Sequence, residues 1–67
     1  MLDVTVNGVE KSYSEGTKVA DILRSEGYDA GRVAVEINLN IIPKGTFSEK
    51  EIQNGDRIEI VSFVGGG

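Results

Sequence analysis

Residues 54–67 read NGDRIEIVSFVGGG: a turn signal, an apolar strand and three glycines. Asparagine, glycine and aspartate are residue types that tight turns favour. In the strand predicted over 57–63, Ile58 and Ile60 alternate with charged residues and should face the core. This stretch therefore predicts a strand that contributes to the core and leads directly into a glycine tail.

The beginning of the chain predicts a β-hairpin. Leu2, Val4 and Val6 alternate with polar residues, which places them on one side of a strand. The pair Asn7-Gly8 suits a type I′ turn, because both central residues of that turn need positive φ. Residues 9–13 would then form the return strand.

A short helix is predicted after the hairpin. Thr17 is the expected N-cap, and Gly27 is placed to end the helix. Three apolar residues between them have helical spacing: Val19, Ile22 and Leu23. A helix of about ten residues is not stable alone, so this apolar face must pack on the sheet.

The middle of the chain predicts two more strands. Apolar and polar residues alternate over 33–37, and a turn at Leu39-Asn40 would lead into a short apolar strand at 41–42. Pro43 cannot donate a ladder hydrogen bond, so it marks a strand end or an edge. The segment that follows is irregular and contains two expected core residues: Phe47 and Ile52.

Together these elements predict one α+β domain over residues 1–64 and a flexible glycine tail at 65–67. The domain would contain a mixed sheet of four to five strands with one main helix packed on one face. A chain of this length buries only about 60% of the surface that it exposes when unfolded. The core is therefore expected to be small.

The composition argues against several classes of function. Seven basic and eleven acidic residues give a net charge of −4, which disfavours nucleic acids and anionic membranes as partners. The absence of histidine and cysteine removes the commonest general base, the commonest metal ligands and any disulfide. No apolar run approaches the roughly 20 residues of a membrane span, and no leader follows Met1, so we expect a cytoplasmic protein.

Candidate catalytic groups are few. Two carboxylate pairs, Glu49 with Glu51 and Asp56 with Glu59, are expected to be solvated because nothing near them suggests burial. Lys44 lies in an expected loop, where a solvated lysine is favoured over a partner contact. We therefore predict neither an independent enzyme nor a bound metal or cofactor.

Three segments resemble the ThiS family, the sulfur-carrier proteins of thiamin biosynthesis: INLNIIPK at 37–44, NGDRIEI at 54–60 and IVSFVGGG at 60–67. The opening Val6-Asn7-Gly8 is also similar. The resemblance covers the whole chain and implies a ubiquitin-like β-grasp fold. Many members end in two glycines, so Gly66 and Gly67 are the matching pair and Gly65 lengthens the tail.

The resemblance implies that the Gly67 carboxylate is chemically modified. A ThiF-type enzyme would adenylate it with ATP and magnesium, while Gly65 and Gly66 thread the active site of that enzyme. A persulfide, supplied ultimately by a cysteine desulfurase, would convert the adenylate to a thiocarboxylate. A thiazole synthase of the ThiG type would then take the sulfur.

The residues before the tail predict a docking patch. Val61 and Phe63 would face away from the core, unless a bulge changes the register. We predict that Phe63 and Val64 form part of an apolar surface that a partner binds. The sequence supports equally the alternative that Phe63 closes the end of the sheet.

Other roles remain open at this level. The same tail would suit a molybdopterin-synthase small subunit, another thiocarboxylate carrier, or a ubiquitin-like modifier joined to lysines. The glycines are also compatible with an inert, disordered end of a β-grasp interaction module, or with a linker remnant.

Overall fold

Five strands and one α-helix form the domain in residues 1–63, the part of the chain that the computed structural model describes. The predictions for Val64 and for the tail at 65–67 lie outside the described residues. The elements in chain order are β1 (Leu2–Val6), β2 (Val9–Tyr13), α1 (Val19–Ser25), β3 (Val33–Ile37), β4 (Asn40–Ile42) and β5 (Arg57–Ser62). Short 3-10 turns at Ala30–Arg32 and Lys44–Thr46 precede β3 and follow β4.

The sheet has the strand order β2-β1-β5-β3-β4. β1 and β5 are parallel, with Thr5 opposite Arg57 and Val6 opposite Ile58, whereas the other neighbours are antiparallel. The last strand in sequence is therefore the central strand of the sheet. This arrangement confirms the predicted β-grasp fold and its mixed sheet.

The core lies between α1 and one face of the sheet, which we call the inner face. The helix contributes Val19, Ile22 and Leu23, as its spacing predicted. The sheet and the connecting segments contribute the other buried apolar residues: Val4, Val6, Val33, Val35, Ile37, Phe47, Ile52, Ile58 and Ile60. The predictions of Phe47, Ile52, Ile58 and Ile60 as core residues are confirmed.

The helix begins one residue later than predicted. Its N-cap is Lys18 and not Thr17, whose hydroxyl donates instead to the Ser14 carbonyl at 2.7 Å. The Asp21 carboxylate accepts from the Lys18 backbone N–H at 2.9 Å, and this bond lowers the pKa of Asp21. The carboxylate at the third helical residue thus satisfies the N–H of the N-cap residue, as in one half of a capping box, and α1 is seven residues long.

The end of α1 is a Schellman motif, and Gly27 ends the helix as predicted. Gly27 has φ of +81°, and its N–H donates to the Arg24 carbonyl at 3.2 Å. The Tyr28 N–H donates to the Leu23 carbonyl at 2.8 Å. These two bonds satisfy carbonyls that the helix leaves free, and glycine is the residue that adopts this backbone without strain.

The turn between β3 and β4 was predicted one residue too late. Its central residues are Asn38 and Leu39, with φ of 52° and 71°, and Asn40 already belongs to β4. The Asn38 side chain accepts from the Arg57 N–H at 2.9 Å and donates to the Asp56 carboxylate at 3.0 Å. These long-range bonds fix Asn38, so the turn places Leu39 in the left-handed region despite its bulk.

Replacing Leu39 with glycine should stabilise the domain. Leu39 is 73% exposed, so little burial is lost, and a left-handed residue with a Cβ costs about 1–2 kcal/mol. The greater entropy of glycine in the unfolded chain offsets part of this gain, which leaves about 0.5–1 kcal/mol in urea unfolding. Ile41→Gly is the control, because Ile41 is equally exposed but lies in a strand, where glycine should destabilise. Equal destabilisation by both variants would contradict the assignment of strain to Leu39.

Candidate functional site

The end of β5 is the point from which the predicted tail leaves the domain. Ser62 is opposite Val33, and the Phe63 N–H donates to the Arg32 carbonyl at 2.8 Å, so pairing continues one residue beyond the strand. Val64 to Gly67 follow in the sequence. Four extended residues reach at most about 14 Å, which limits how far the Gly67 carboxyl group can lie from this end of the sheet.

The Phe63 side chain lies on the surface. It is 53% exposed, and the Lys44 ammonium group is 5.5 Å from the centre of its ring, within the range of a cation–π interaction. The Lys44 ammonium also donates to the Gly31 carbonyl at 3.0 Å. Lys44 is exposed, as predicted, and its side chain also joins the loop before β3 to the aromatic ring beside the tail.

Exposed apolar residues continue along the face of the sheet opposite α1, which we call the outer face. Val61 is 59% exposed and lies opposite the half-buried Ala34 of β3. Ile41 on β4 is 76% exposed. The register is regular through the end of β5, so Val61 and Phe63 face away from the core without a bulge, as expected.

The turn between β1 and β2 supports β5 as well as reversing the chain. Asn7 and Gly8 have φ of 50° and 82°, which confirms the predicted turn. The Asn7 N–H donates to the Ile58 carbonyl at 2.9 Å, and the Asn7 side-chain oxygen accepts from the Ile60 N–H at 2.7 Å. Its amide group donates to the Tyr28 hydroxyl at 3.3 Å. The sequence predicted the turn but not these bonds to β5, because nothing local indicates which strand lies beside Asn7.

The bond from Ile60 to Asn7 should stabilise the domain measurably. Asn7→Gly keeps the positive φ but removes the acceptor from a partly buried N–H, which should cost about 1–3 kcal/mol in urea unfolding. Asn7→Asp keeps an acceptor oxygen and tolerates positive φ, so it should cost less. If the two variants lose the same stability, the side-chain oxygen is not the group that matters.

The expectation of a solvated Asp56 is wrong. This residue is buried, and its carboxylate accepts from the Gln53 N–H at 2.8 Å and from the Asn38 side-chain amide at 3.0 Å. Asp56 thus closes its own turn and ties that turn to the one between β3 and β4. Its predicted companion, Glu59, is half-buried on the outer face. The two carboxylates do not form a pair, because strand alternation places them on opposite sides of β5.

The described residues contain no candidate metal site. Within 1–63 no group of three or more acidic side chains is placed to hold a metal ion. Glu49 and Glu51 are exposed, as predicted. An open cleft of about 450 Å³ lies near the start of β5, away from Phe63, and is lined by groups of both signs, including Asp3, Lys11 and Arg57. None of the helices in the described part is long and apolar enough to cross a membrane.

The comparison with protein families identifies the chain. The sequence model of the ThiS family matches residues 4–67. This range includes all of the sheet except the first two residues of β1, and it includes the glycine tail. This chain belongs to the ThiS family. The resemblance stated from the residues alone is therefore confirmed.

Individual ThiS relatives support the same conclusion. The sulfur carrier protein ThiS of Bacillus subtilis is 40% identical over 63 residues, which are 92% of this chain and 96% of that protein. A crystal structure of the thiamine biosynthesis protein ThiS from Geobacter metallireducens has a TM-score of 0.81 at 29% identity, and covers 98% of this chain and 100% of that chain.

Two other relatives are longer proteins. Thiazole synthase from Paramagnetospirillum magneticum is 39% identical over 66 residues, which are 98% of this chain but 20% of that protein. A second thiazole synthase, from Magnetococcus marinus, shows the same coverage at 33% identity. The chain thus spans about a fifth of the length of the thiazole synthases that it matches.

Proposed function

We propose that this ThiS-family chain is a sulfur carrier of thiamin biosynthesis and that Gly67 carries the sulfur. The observation that best supports the proposal is the position of the tail. It follows the central strand of a small sheet, beside an exposed aromatic residue, in a domain whose described residues contain no cluster of metal-binding side chains. The Bacillus subtilis relative is named a sulfur carrier, and it matches this chain over almost the whole length of both.

The proposed chemistry takes place at the Gly67 carboxyl group. A carboxylate is a poor electrophile, so an oxygen of the group first attacks the α-phosphorus of ATP and releases pyrophosphate. A persulfide on a partner cysteine then attacks the acyl carbon, and AMP leaves. A thiol then attacks the partner's cysteine sulfur in the resulting acyl disulfide, which releases the thiocarboxylate on Gly67 and leaves a disulfide between that thiol and the partner's cysteine. A ThiF-type enzyme would hold ATP and magnesium throughout, and a cysteine desulfurase would supply the persulfide sulfur.

Thiazole synthase is the proposed sulfur acceptor. In two relatives named thiazole synthase, a segment similar to this whole chain is part of the synthase polypeptide. Joining two proteins in one chain raises their effective concentration, which favours partners that must meet in every reaction cycle. The fused relatives therefore support a thiazole synthase of the ThiG type as the protein that takes sulfur from Gly67.

Phe63 and Val64 are the proposed docking residues beside the tail. A partner that encloses Gly65 and Gly66 must also cover the last residues of the domain, since so few residues separate them. Phe63 is half-exposed, with Val61 on the same side of β5. Aromatic residues that become buried on binding commonly supply much of the affinity of an interface.

Phe63→Ala should weaken adenylation without unfolding the domain. Because the ring is half-exposed, the free energy of unfolding should fall by no more than about 1 kcal/mol, while the KM for the carrier in ATP–pyrophosphate exchange should rise at least about tenfold. Val9→Ala, at another exposed apolar residue, is the control and should leave KM unchanged. Loss of the folded state in Phe63→Ala would favour the alternative that the ring closes the sheet.

Removal of the tail should abolish modification and leave the fold intact. Deleting any single glycine yields the same two-glycine end, so one deletion tests the length of the tail and not the identity of its last residue. We expect the chain lacking one glycine to acquire sulfur and the chain lacking 65–67 to acquire none. Mass spectrometry after incubation with the activating enzyme, ATP and a persulfide donor measures the exchange of oxygen for sulfur. Sulfur on the chain ending at Val64 would contradict the proposal.

The same measurement separates the other candidate roles. Isopeptide products with lysines would indicate a ubiquitin-like modifier, and an unchanged mass would indicate an inert interaction module. Growth of a thiamin auxotroph on expression of the chain distinguishes the thiamin pathway from molybdopterin synthesis. Rescue of a molybdopterin-deficient strain, without rescue of the thiamin auxotroph, would favour a molybdopterin-synthase small subunit.

A further inference from the structure

Two carboxylates face each other on the outer face of the sheet. Glu36 on β3 is directly opposite Glu59 on β5. In the same register Asn38 is opposite Arg57, and the Asn38 N–H donates to the Arg57 carbonyl. Along an antiparallel ladder, hydrogen-bonded and non-hydrogen-bonded pairs alternate, so the pair two residues further on is also hydrogen-bonded. Glu36 and Glu59 are therefore a hydrogen-bonded pair, with Cα atoms about 5.5 Å apart and side chains on the same side.

No cation of the described residues forms an ion pair with Glu36 or Glu59. The ion pairs in residues 1–63 join Lys11 to Glu26, Arg24 to Asp21 and Arg32 to Asp29. Arg57 lies on the same side of β5 two residues before Glu59, but it forms no ion pair within the described part. Like charges directly opposite each other destabilise a sheet, and both glutamates are half-buried, where water screens them less.

Apolar side chains lie next to the two carboxylates on the β4 side and on the side towards the tail. Ile41 on β4 is opposite Glu36, so Glu59, Glu36 and Ile41 form one row across three strands. Val61 and Ala34 form the next row towards the tail. A charged group that binds here must tolerate apolar neighbours and accept two carboxylates. The arginine guanidinium meets both requirements, because it is planar, weakly hydrated and able to donate to two carboxylates at once.

We propose that Glu36 and Glu59 together bind an arginine side chain of the adenylating enzyme. This inference rests on the proposed function, since it names how the partner that activates Gly67 recognises the domain. Glu59 precedes Phe63 by four residues, about 13 Å along an extended strand. A partner that covers Phe63 and receives the tail therefore also lies over the carboxylate pair. The net charge of −4 favours a partner with a basic surface.

The double variant Glu36→Gln/Glu59→Gln tests this arrangement with the full chain and the ThiF-type enzyme of the same organism. Removing the repulsion should leave the midpoint of urea unfolding unchanged or higher. Losing the partner's arginine should raise the KM for the carrier in ATP–pyrophosphate exchange about tenfold or more, with kcat unchanged. The KM of the variant should also depend less on salt. A merely structural role would instead lower the midpoint of urea unfolding while the KM rises.

Glu49→Gln/Glu51→Gln is the matched control, because it removes the same charge from two exposed residues outside the sheet. Its KM should stay near that of the unaltered chain. If the enzyme adenylates the unaltered chain and the Glu36/Glu59 variant keeps the same KM, the inference is overturned and the proposed function stands. If the unaltered chain is not adenylated, the proposed function fails and the inference with it. An equal rise in KM in both double variants would show a general charge effect and would also overturn the inference.

Discussion

The parallel pairing of β1 with β5 is the constraint on which the rest of the domain depends. It joins the two ends of the chain, through hydrogen bonds from the Thr5 N–H to the Asp56 carbonyl and from the Asn7 N–H to the Ile58 carbonyl. Bringing β1 and β5 together closes the long segment of chain between them. This closure costs conformational entropy, which burial of the inner face must offset. In return, the last strand becomes the centre of the sheet. The tail therefore begins at a strand held on both sides, and a partner meets a fixed starting point for the tail.

β5 has two roles because its side chains alternate. Ile58 and Ile60 point into the core, while Glu59 and Val61 lie on the outer face. Substitution of the first pair removes buried apolar surface and acts on stability, whereas substitution of the second pair leaves the core intact. Stability and recognition can therefore change independently on one strand. The Asn7 side chain strengthens this arrangement, since it extends the support of β5 beyond the last paired residue of β1.

Local sequence signals predicted most of the fold, and long-range hydrogen bonds explain what they missed. Asn7-Gly8 and Gly27 require backbone angles that few residues adopt, so their turn and helix end could be recognised directly. The turn at Asn38 could not be placed, because it depends on bonds to Asp56 and Arg57, 18 and 19 residues away. The same holds for the candidate site. The glycine tail is visible in the sequence, but the juxtaposition of the two outer-face glutamates exists only once the register of β3 and β5 is known.

Under the proposed function, reactivity and specificity reside in different parts of this protein. Glycine has no side chain, so residues 65–67 offer a partner little beyond backbone groups and a carboxylate, which any glycine tail would offer equally. Discrimination between partners must come from the folded domain. Two features of the described domain should cost stability: the left-handed backbone at Leu39 and the facing carboxylates of Glu36 and Glu59. Contacts within the domain explain the first, because Asn38 fixes the turn. They do not explain the second, in which Glu59 lies on the strand that precedes the tail. The carboxylate pair is therefore the feature best placed to distinguish one partner from another.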